Sequence, residues 1–177
     1  MSVAVVAVGP LTVTGVRIEG ALGATLRSQA GPLPTDHFRL AGINPKNPRP
    51  FFFTHATKQL GTAVLLTGNE PKNFVVRLQP LATLSGCLRD SDGQPMGGVR
   101  LLGVVEAGQL NLGESWGSTF EATTDKQGRF RVGLIAGVKW GAYAVKGGAL
   151  MEKPLQNVQL APGEIKDLGD ITIKTGP

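Results

Sequence analysis

The sequence predicts an all-β protein made of tandem antiparallel β-sandwiches. Short segments rich in β-branched residues, often alternating apolar with polar, recur along the 177 residues and are bracketed by turn-forming residues. The 25 Gly and 12 Pro leave little room for long helices. No segment carries the 3.6-residue apolar stripe of a helical crossover, which a parallel sheet would need. Antiparallel pairing is therefore expected throughout.

Twelve segments have the length and alternation of strands. They are 11–18, 37–43, 51–55, 62–67, 73–79, 82–89, 98–105, 118–124, 128–134, 138–145, 155–160 and 168–174. Glycine-containing turns such as Ser91-Asp92-Gly93 and Ala161-Pro162-Gly163 separate them. Many short strands at close spacing are typical of a sandwich.

The two halves of the sequence resemble each other. The segment Phe38–Ile43 corresponds to Phe130–Ile135 at an offset of 92 residues. This offset predicts two units, 1–80 and 81–177, that meet near Pro80. The first is shorter, and we expect it either to lack an opening hairpin or to begin inside a longer array.

Charge and hydropathy indicate which partners are expected. All of the net charge of +5 lies in residues 1–80, which carry eight basic and three acidic side chains. These charges are scattered and not interleaved with aromatics, so no nucleic-acid binding is expected. The apolar run Val3–Val8 is too short to span a membrane and lacks the basic flank of an export signal, so neither membrane insertion nor a signal peptide is expected.

The second half carries a family motif in three pieces: 84–100 (LSGCLRDSDGQPMGGVR), 123–132 (TTDKQGRFRV) and 160–164 (LAPGE). It resembles the carboxypeptidase regulatory-like domain, an Ig-like sandwich of the transthyretin-like or CnaB-like type. Residues 38–80 resemble linked sandwich units of planctomycete-type bacterial proteins. The resemblance implies a non-catalytic folding, adhesive or interaction module, usually in exported proteins, so an extracytoplasmic or cell-surface location.

The acidic motif residues have a structural explanation. In Asp90-Ser91-Asp92-Gly93 the carboxylates can accept hydrogen bonds from their own turn while the glycine takes positive φ, and Asp125 and Gly128 repeat the pattern. A calcium loop would need further oxygens where Pro95 and Met96 stand. No metal site and no cofactor are expected.

The other candidate sites also lack the residues that metal binding, catalysis or a disulfide would need. His37 and His55 lack metal-ligand spacing and are expected to be surface imidazoles. The stretch 113–117 (GESWG) matches a nucleophile elbow, but both histidines precede it and no helix follows, so no enzyme is expected. Cys87 stands alone, which excludes an intrachain disulfide, and is expected to be a buried small hydrophobe.

The sequence thus favours a structural or protein-interaction module that assembles with itself or with a larger protein. Val3, Val5 and Val6 are candidate interface residues, because 3–8 is apolar on both faces and must pack into the first sandwich or add to another subunit. Phe52 is another, since alternation turns it away from Phe51 and Phe53, toward a neighbouring domain, a partner or a long side chain. The alternative is a glycan or small-molecule module that uses the 106–117 loop through Trp116 and Glu114.

Overall fold

A computed structural model describes residues 3–8, 11–22, 25–28, 32–39, 43–71, 74–106, 108 and 120–174. Every regular element in these ranges is a β-strand, which confirms the all-β class. In the same ranges there is no apolar helix of membrane-spanning length.

The first half contributes two sheets. Its strands are β1 (Val3–Val8), β2 (Leu11–Thr12), β3 (Arg17–Leu22), β4 (Thr25–Ser28), β5 (His37–Arg39), β6 (Arg49–His55), β7 (Leu60–Leu66), β8 (Phe74–Arg77) and β9 (Gln79–Pro80). One sheet has the order β2-β1-β5 with β8 also on β1, and the other has the order β4-β3-β6-β7-β9. The single strand predicted at 11–18 is wrong. The chain leaves β2 after Thr12, turns at Gly15 with φ of 78°, and enters the other sheet at Arg17.

The second half contributes two more sheets. Its strands are β10 (Ala82–Arg89), β11 (Arg100–Val105), β12 (Glu121–Thr123), β13 (Arg129–Leu134), β14 (Trp140–Lys146), β15 (Ala149–Leu150), β16 (Leu155–Val158) and β17 (Ile165–Thr172). One sheet has the order β13-β10-β17, and the other has the order β12-β11-β14-β15 with β16 also on β14. Most pairs are antiparallel, but β1 with β8 and β10 with β17 are parallel, contrary to the expectation of purely antiparallel pairing.

The strand pairing in the two halves follows the same order. Strand β1 pairs antiparallel with β5 and parallel with β8, as β10 does with β13 and β17. Strand β6 pairs with β3 as β14 pairs with β11. The first half therefore has opening strands, and the expected loss of a hairpin is wrong. Its shorter length arises elsewhere: β4 begins three positions after Leu22, whereas β12 begins at Glu121, well beyond Val105.

Each pair of sheets encloses apolar side chains. The first cluster includes Val16, Ile18, Phe38, Phe53 and Val76; the second includes Leu84, Leu88, Leu101, Val105 and Phe130. Strand β10 shows how alternation sets this arrangement, since every second position from Ala82 to Leu88 is buried. Cys87 lies on the opposite face and is only half-buried, so the expectation of a buried thiol is wrong.

Candidate functional site

Three consecutive phenylalanines contact two different cores. Phe51 and Phe53 belong to the cluster of the first half, whereas Phe52 belongs to that of the second. The Phe52 ring centroid lies 6.3 Å from that of Trp140, and the Trp140 indole donates a hydrogen bond to the Ile135 carbonyl at 2.9 Å. Phe52 is 2% exposed, so its contact is with the other half of its own chain and its surface is not available to another protein.

Two glycines make this contact close. A Cβ at Gly61 would lie 2.7 Å from a methyl of Leu81 and 3.0 Å from Ile135, and one at Gly133 would lie 3.3 Å from Leu81. The Leu81 N–H donates to the Gln59 carbonyl at 2.9 Å, which fixes the chain where the halves join. The side chain of Leu81 therefore sits between strands of both halves.

A small cleft of about 50 Å³ opens beside this contact. Its walls include the rings of Phe52, Phe120 and Trp140, with the Phe120 and Trp140 centroids 5.9 Å apart. Glu19 also lines it, because Glu19 pairs with Phe52 across β3 and β6. Partial burial raises the pKa of Glu19, and the positive charge of Arg17 opposes that rise.

A second acidic side chain is held more tightly. Glu106, 8% exposed, follows β11 and accepts a hydrogen bond from Lys153 Nζ at 2.6 Å and another from the Asn157 N–H at 3.1 Å. Lys153 Nζ also lies 5.5 Å from the ring centroid of Tyr143. Gly141 makes room for this group, since a Cβ there would be 2.4 Å from Glu106 Oε1. The arrangement satisfies the amide of Asn157, whose φ is 53°.

The motif aspartates build turns, as the sequence predicts. Asp90 Oδ1 accepts hydrogen bonds from the N–H groups of Asp92 and Gln94 at 3.0 and 2.8 Å. Asp125 Oδ1 accepts those of Gln127 and Arg129 at 2.9 and 2.8 Å. In the described ranges no three His, Cys, Asp or Glu side chains come together as metal ligands.

The other predicted residues are dispersed. Trp116, Glu114 and the GESWG stretch lie outside the described residues. His37, which is exposed at the start of β5, has its Nδ1 2.5 Å from Asp36 Oδ1. His55 ends a strand of the other sheet, where it accepts a hydrogen bond from the Lys58 N–H.

The N-terminal valines belong to a strand of this chain, since β1 pairs with β2, β5 and β8. Of the two alternatives for residues 3–8, this pairing corresponds to the one in which the segment packs into the first sandwich. Val3 pairs with Arg39, and Val5 pairs with His37 and Val75, all three of which are exposed. Val6 instead occupies the register of Val76, which is 1% exposed.

A wider depression of about 550 Å³ covers the outer face of β10. Cys87, Arg129 and Asp167 line it, and the Cys87 thiol donates to the Gln127 carbonyl at 3.2 Å. Arg89 Nε lies 2.7 Å from Asp170 Oδ2 at its edge. The other carboxylate at the depression, Asp167, accepts a hydrogen bond from the Gly169 N–H at 3.0 Å.

Sequence reasoning did not identify Glu19, Trp140, Glu106 or Lys153. The signal for Glu19 was present, because an acid at 19 shares a β3 face with Arg17 and interrupts an apolar segment. The pairing of Glu106 with Lys153 joins positions 47 apart, and no local pattern reveals such a contact.

No protein-family model matches the chain, and no curated protein sequence matches it. Among solved structures it is similar to a streptococcal ancillary pilin at 14% identity and a TM-score of 0.44, over 99% of this chain and 62% of the pilin. It is also similar to a shaft pilin of Lactobacillus rhamnosus GG at 10% identity and a TM-score of 0.37, over 99% of this chain and 98% of the pilin. A chlorocatechol 1,2-dioxygenase of Pseudomonas putida is similar at 13% identity and a TM-score of 0.36, over 55% of this chain and 61% of the dioxygenase. Likenesses at this level carry no conclusion about activity.

Proposed function

We propose that the chain is a non-catalytic structural and protein-interaction module of two tandem β-sandwich units, 1–80 and 81–177, of the carboxypeptidase regulatory-like type. Its role is to hold a rigid surface for assembly with another copy or with a larger protein. The observation that carries the proposal is the exposed face of the sheet that contains β1 and β8.

On that face an apolar centre is flanked by basic residues. Val75 on β8 is 38% exposed and pairs with Val5 on β1, while Arg39 and Arg77 flank this pair on β5 and β8. Exposed apolar side chains beside positive charges are typical of protein-binding surfaces, because apolar burial supplies affinity and charge supplies orientation. Val3 and Val5 remain the proposed partner contacts from β1.

The motif residues support a non-catalytic role. Asp90 and Asp125 use their carboxylates on the amides of their own turns, as described above. Repetition of the pairing order around β1 and β10 supports the two-unit division, and the contact of Phe52 with Trp140 favours a fixed angle between the units.

Light scattering of the full chain at increasing concentration tests the proposal. We expect a mass above that of one chain, and we expect Val75→Glu to reduce it by placing a charge in the apolar centre. Leu65→Glu is the matched control, because Leu65 is 39% exposed on β7 in the other sheet. A mass of one chain at all concentrations would contradict self-assembly through this surface. Equal effects of Val75→Glu and Leu65→Glu on the mass would contradict the choice of this face.

A further inference from the structure

We propose that the cleft between Glu19 and the rings of Phe52, Phe120 and Trp140 binds a primary ammonium group. This site goes beyond the assembly role and does not depend on it, because it lies at the contact between the two halves and not on the face that carries Val75.

The cleft combines the two features that recognise an organic cation. Glu19 supplies a carboxylate that has no hydrogen bond or ion pair in the part of the chain that the structure describes. Three aromatic rings supply walls whose π-electrons attract positive charge. A bound ammonium would give this carboxylate the partner that it lacks, in a place where partial burial strengthens the attraction.

The size of the cleft limits which ligands can bind in it. A cavity needs roughly 10 to 15 Å³ of this kind of volume to hold a water molecule, so a cleft of about 50 Å³ admits the end of an alkylammonium group. A tetramethylammonium ion has no N–H group to donate to the Glu19 carboxylate. Thr54 also lines the cleft, and a threonine hydroxyl oxygen can accept a hydrogen bond from an ammonium N–H group.

Within the part of the chain that the structure describes, no cation forms an ion pair with Glu19. Arg17 lies near enough to oppose the pKa rise of Glu19 but forms no ion pair with it. The segment 107–119, which joins Glu106 to Phe120, contains no Lys or Arg. The ligand is therefore a free alkylammonium or the end of a lysine side chain from another molecule, which share the same chemistry.

Titration with n-butylammonium chloride tests the site, with the ¹⁵N-indole resonance of Trp140 as the readout. We expect a saturable shift of that resonance, no shift with n-butanol at equal concentration, and a weaker shift with tetramethylammonium at equal ionic strength, because that ion has no N–H group to donate to Glu19. Nα-acetyl-lysine amide distinguishes the sources: stronger binding than butylammonium indicates a lysine side chain, and weaker binding indicates a free amine.

Glu19→Gln is the decisive variant, since it keeps the shape of the side chain and removes its charge. We expect it to weaken butylammonium binding by about tenfold or more, whereas Glu121→Gln, at an exposed pair with Arg100, should leave binding unchanged. Unfolding curves establish that both variants are folded. Equal shifts with butanol and butylammonium, or unchanged binding in Glu19→Gln, would overturn the proposal.

Discussion

The ring of Phe52 lies 6.3 Å from the indole of Trp140, 88 positions further along the chain, and the two planes are tilted by 46°. Both side chains are almost fully buried. Offset and tilted aromatic pairs at this separation are favourable beyond their apolar burial. The contact therefore couples the two halves of the molecule, and the predictions below begin from it.

Replacing Phe52 with Ala should destabilise the protein by about 3 to 5 kcal/mol, because a buried ring is lost and a cavity is left behind. Leu65→Ala, at an exposed position, should cost less than about 0.5 kcal/mol. Urea unfolding measures both. In a Trp116→Phe background Trp140 is the single indole, so its fluorescence should shift to longer wavelength in Phe52→Ala. Similar costs at the two positions would mean that the halves do not pack through Phe52.

Two glycines with nearly equal backbone angles should respond differently to alanine. Gly93 and Gly128 have φ of 76° and 78°. A Cβ at Gly93 meets nothing within 4 Å, whereas one at Gly128 would lie 2.4 Å from the Leu88 carbonyl oxygen. Gly93→Ala should cost about 1 to 2 kcal/mol for the left-handed conformation alone. Gly128→Ala should cost clearly more in denaturant unfolding, and equal costs would contradict the close approach of Leu88.

The buried ion pair predicts partial rescue by a second substitution. Lys153→Met leaves Glu106 without its ammonium partner and should cost about 2 to 4 kcal/mol, somewhat below a fully buried pair because Lys153 is 20% exposed. Adding Glu106→Gln removes the stranded charge while the amide oxygen still accepts from the Asn157 N–H. Thermal unfolding should show the double variant to be more stable than Lys153→Met. Strictly additive losses would refute coupling between the two side chains.

Two glutamates should change stability with pH in opposite directions. Burial acts to raise the pKa of Glu70, but hydrogen bonds from the Thr67 and Gly68 amides outweigh it and hold the pKa below 4.5. Glu70 therefore stabilises the fold above the pKa of the unfolded state, and this contribution is lost as pH falls through its folded pKa. Because Glu70 is only partly buried, we expect Glu70→Gln to cost only a few tenths of a kcal/mol at pH 7 and to be neutral near pH 2.5.

The raised pKa of Glu19 has the opposite consequence. Its ionisation favours the unfolded state as pH rises above 4.5, so Glu19→Gln should stabilise the protein at pH 7 and not near pH 2.5. Half-exposure keeps the gain to a few tenths of a kcal/mol. Urea midpoints of the wild type and both variants at the two pH values give these differences, and shifts of the same sign for both would contradict the assignments.

The second half should fold without the first. We expect residues 81–177 alone to give a dispersed amide spectrum and a β-type circular dichroism spectrum, because their pairings and most of their core lie within that range. Their thermal midpoint should be lower than in the full chain, since the surface around Trp140 loses Phe52. A fragment without dispersed resonances would contradict a boundary near residue 80.

The sequence by itself determined the all-β class, because alternation and turn residues act over a few positions. It also determined the roles of Asp90 and Asp125, since an aspartate and its glycine form these turns from their own amides. Of the two similar segments 38–43 and 130–135, the first begins within β5, which pairs antiparallel with β1, and the second lies on β13, which pairs antiparallel with β10.

Tertiary structure decided what lies opposite each strand face. Alternation turned Phe52 away from Phe51 and Phe53, but whether that face met solvent, another protein or the other half depended on packing. The same limit applies to Cys87, whose strand was predicted while its face was not, and to Glu106, whose partner is 47 positions away. Local patterns specify the direction of a side chain relative to its neighbours, whereas the long-range contacts that bury or charge-pair it arise only when the sheets come together.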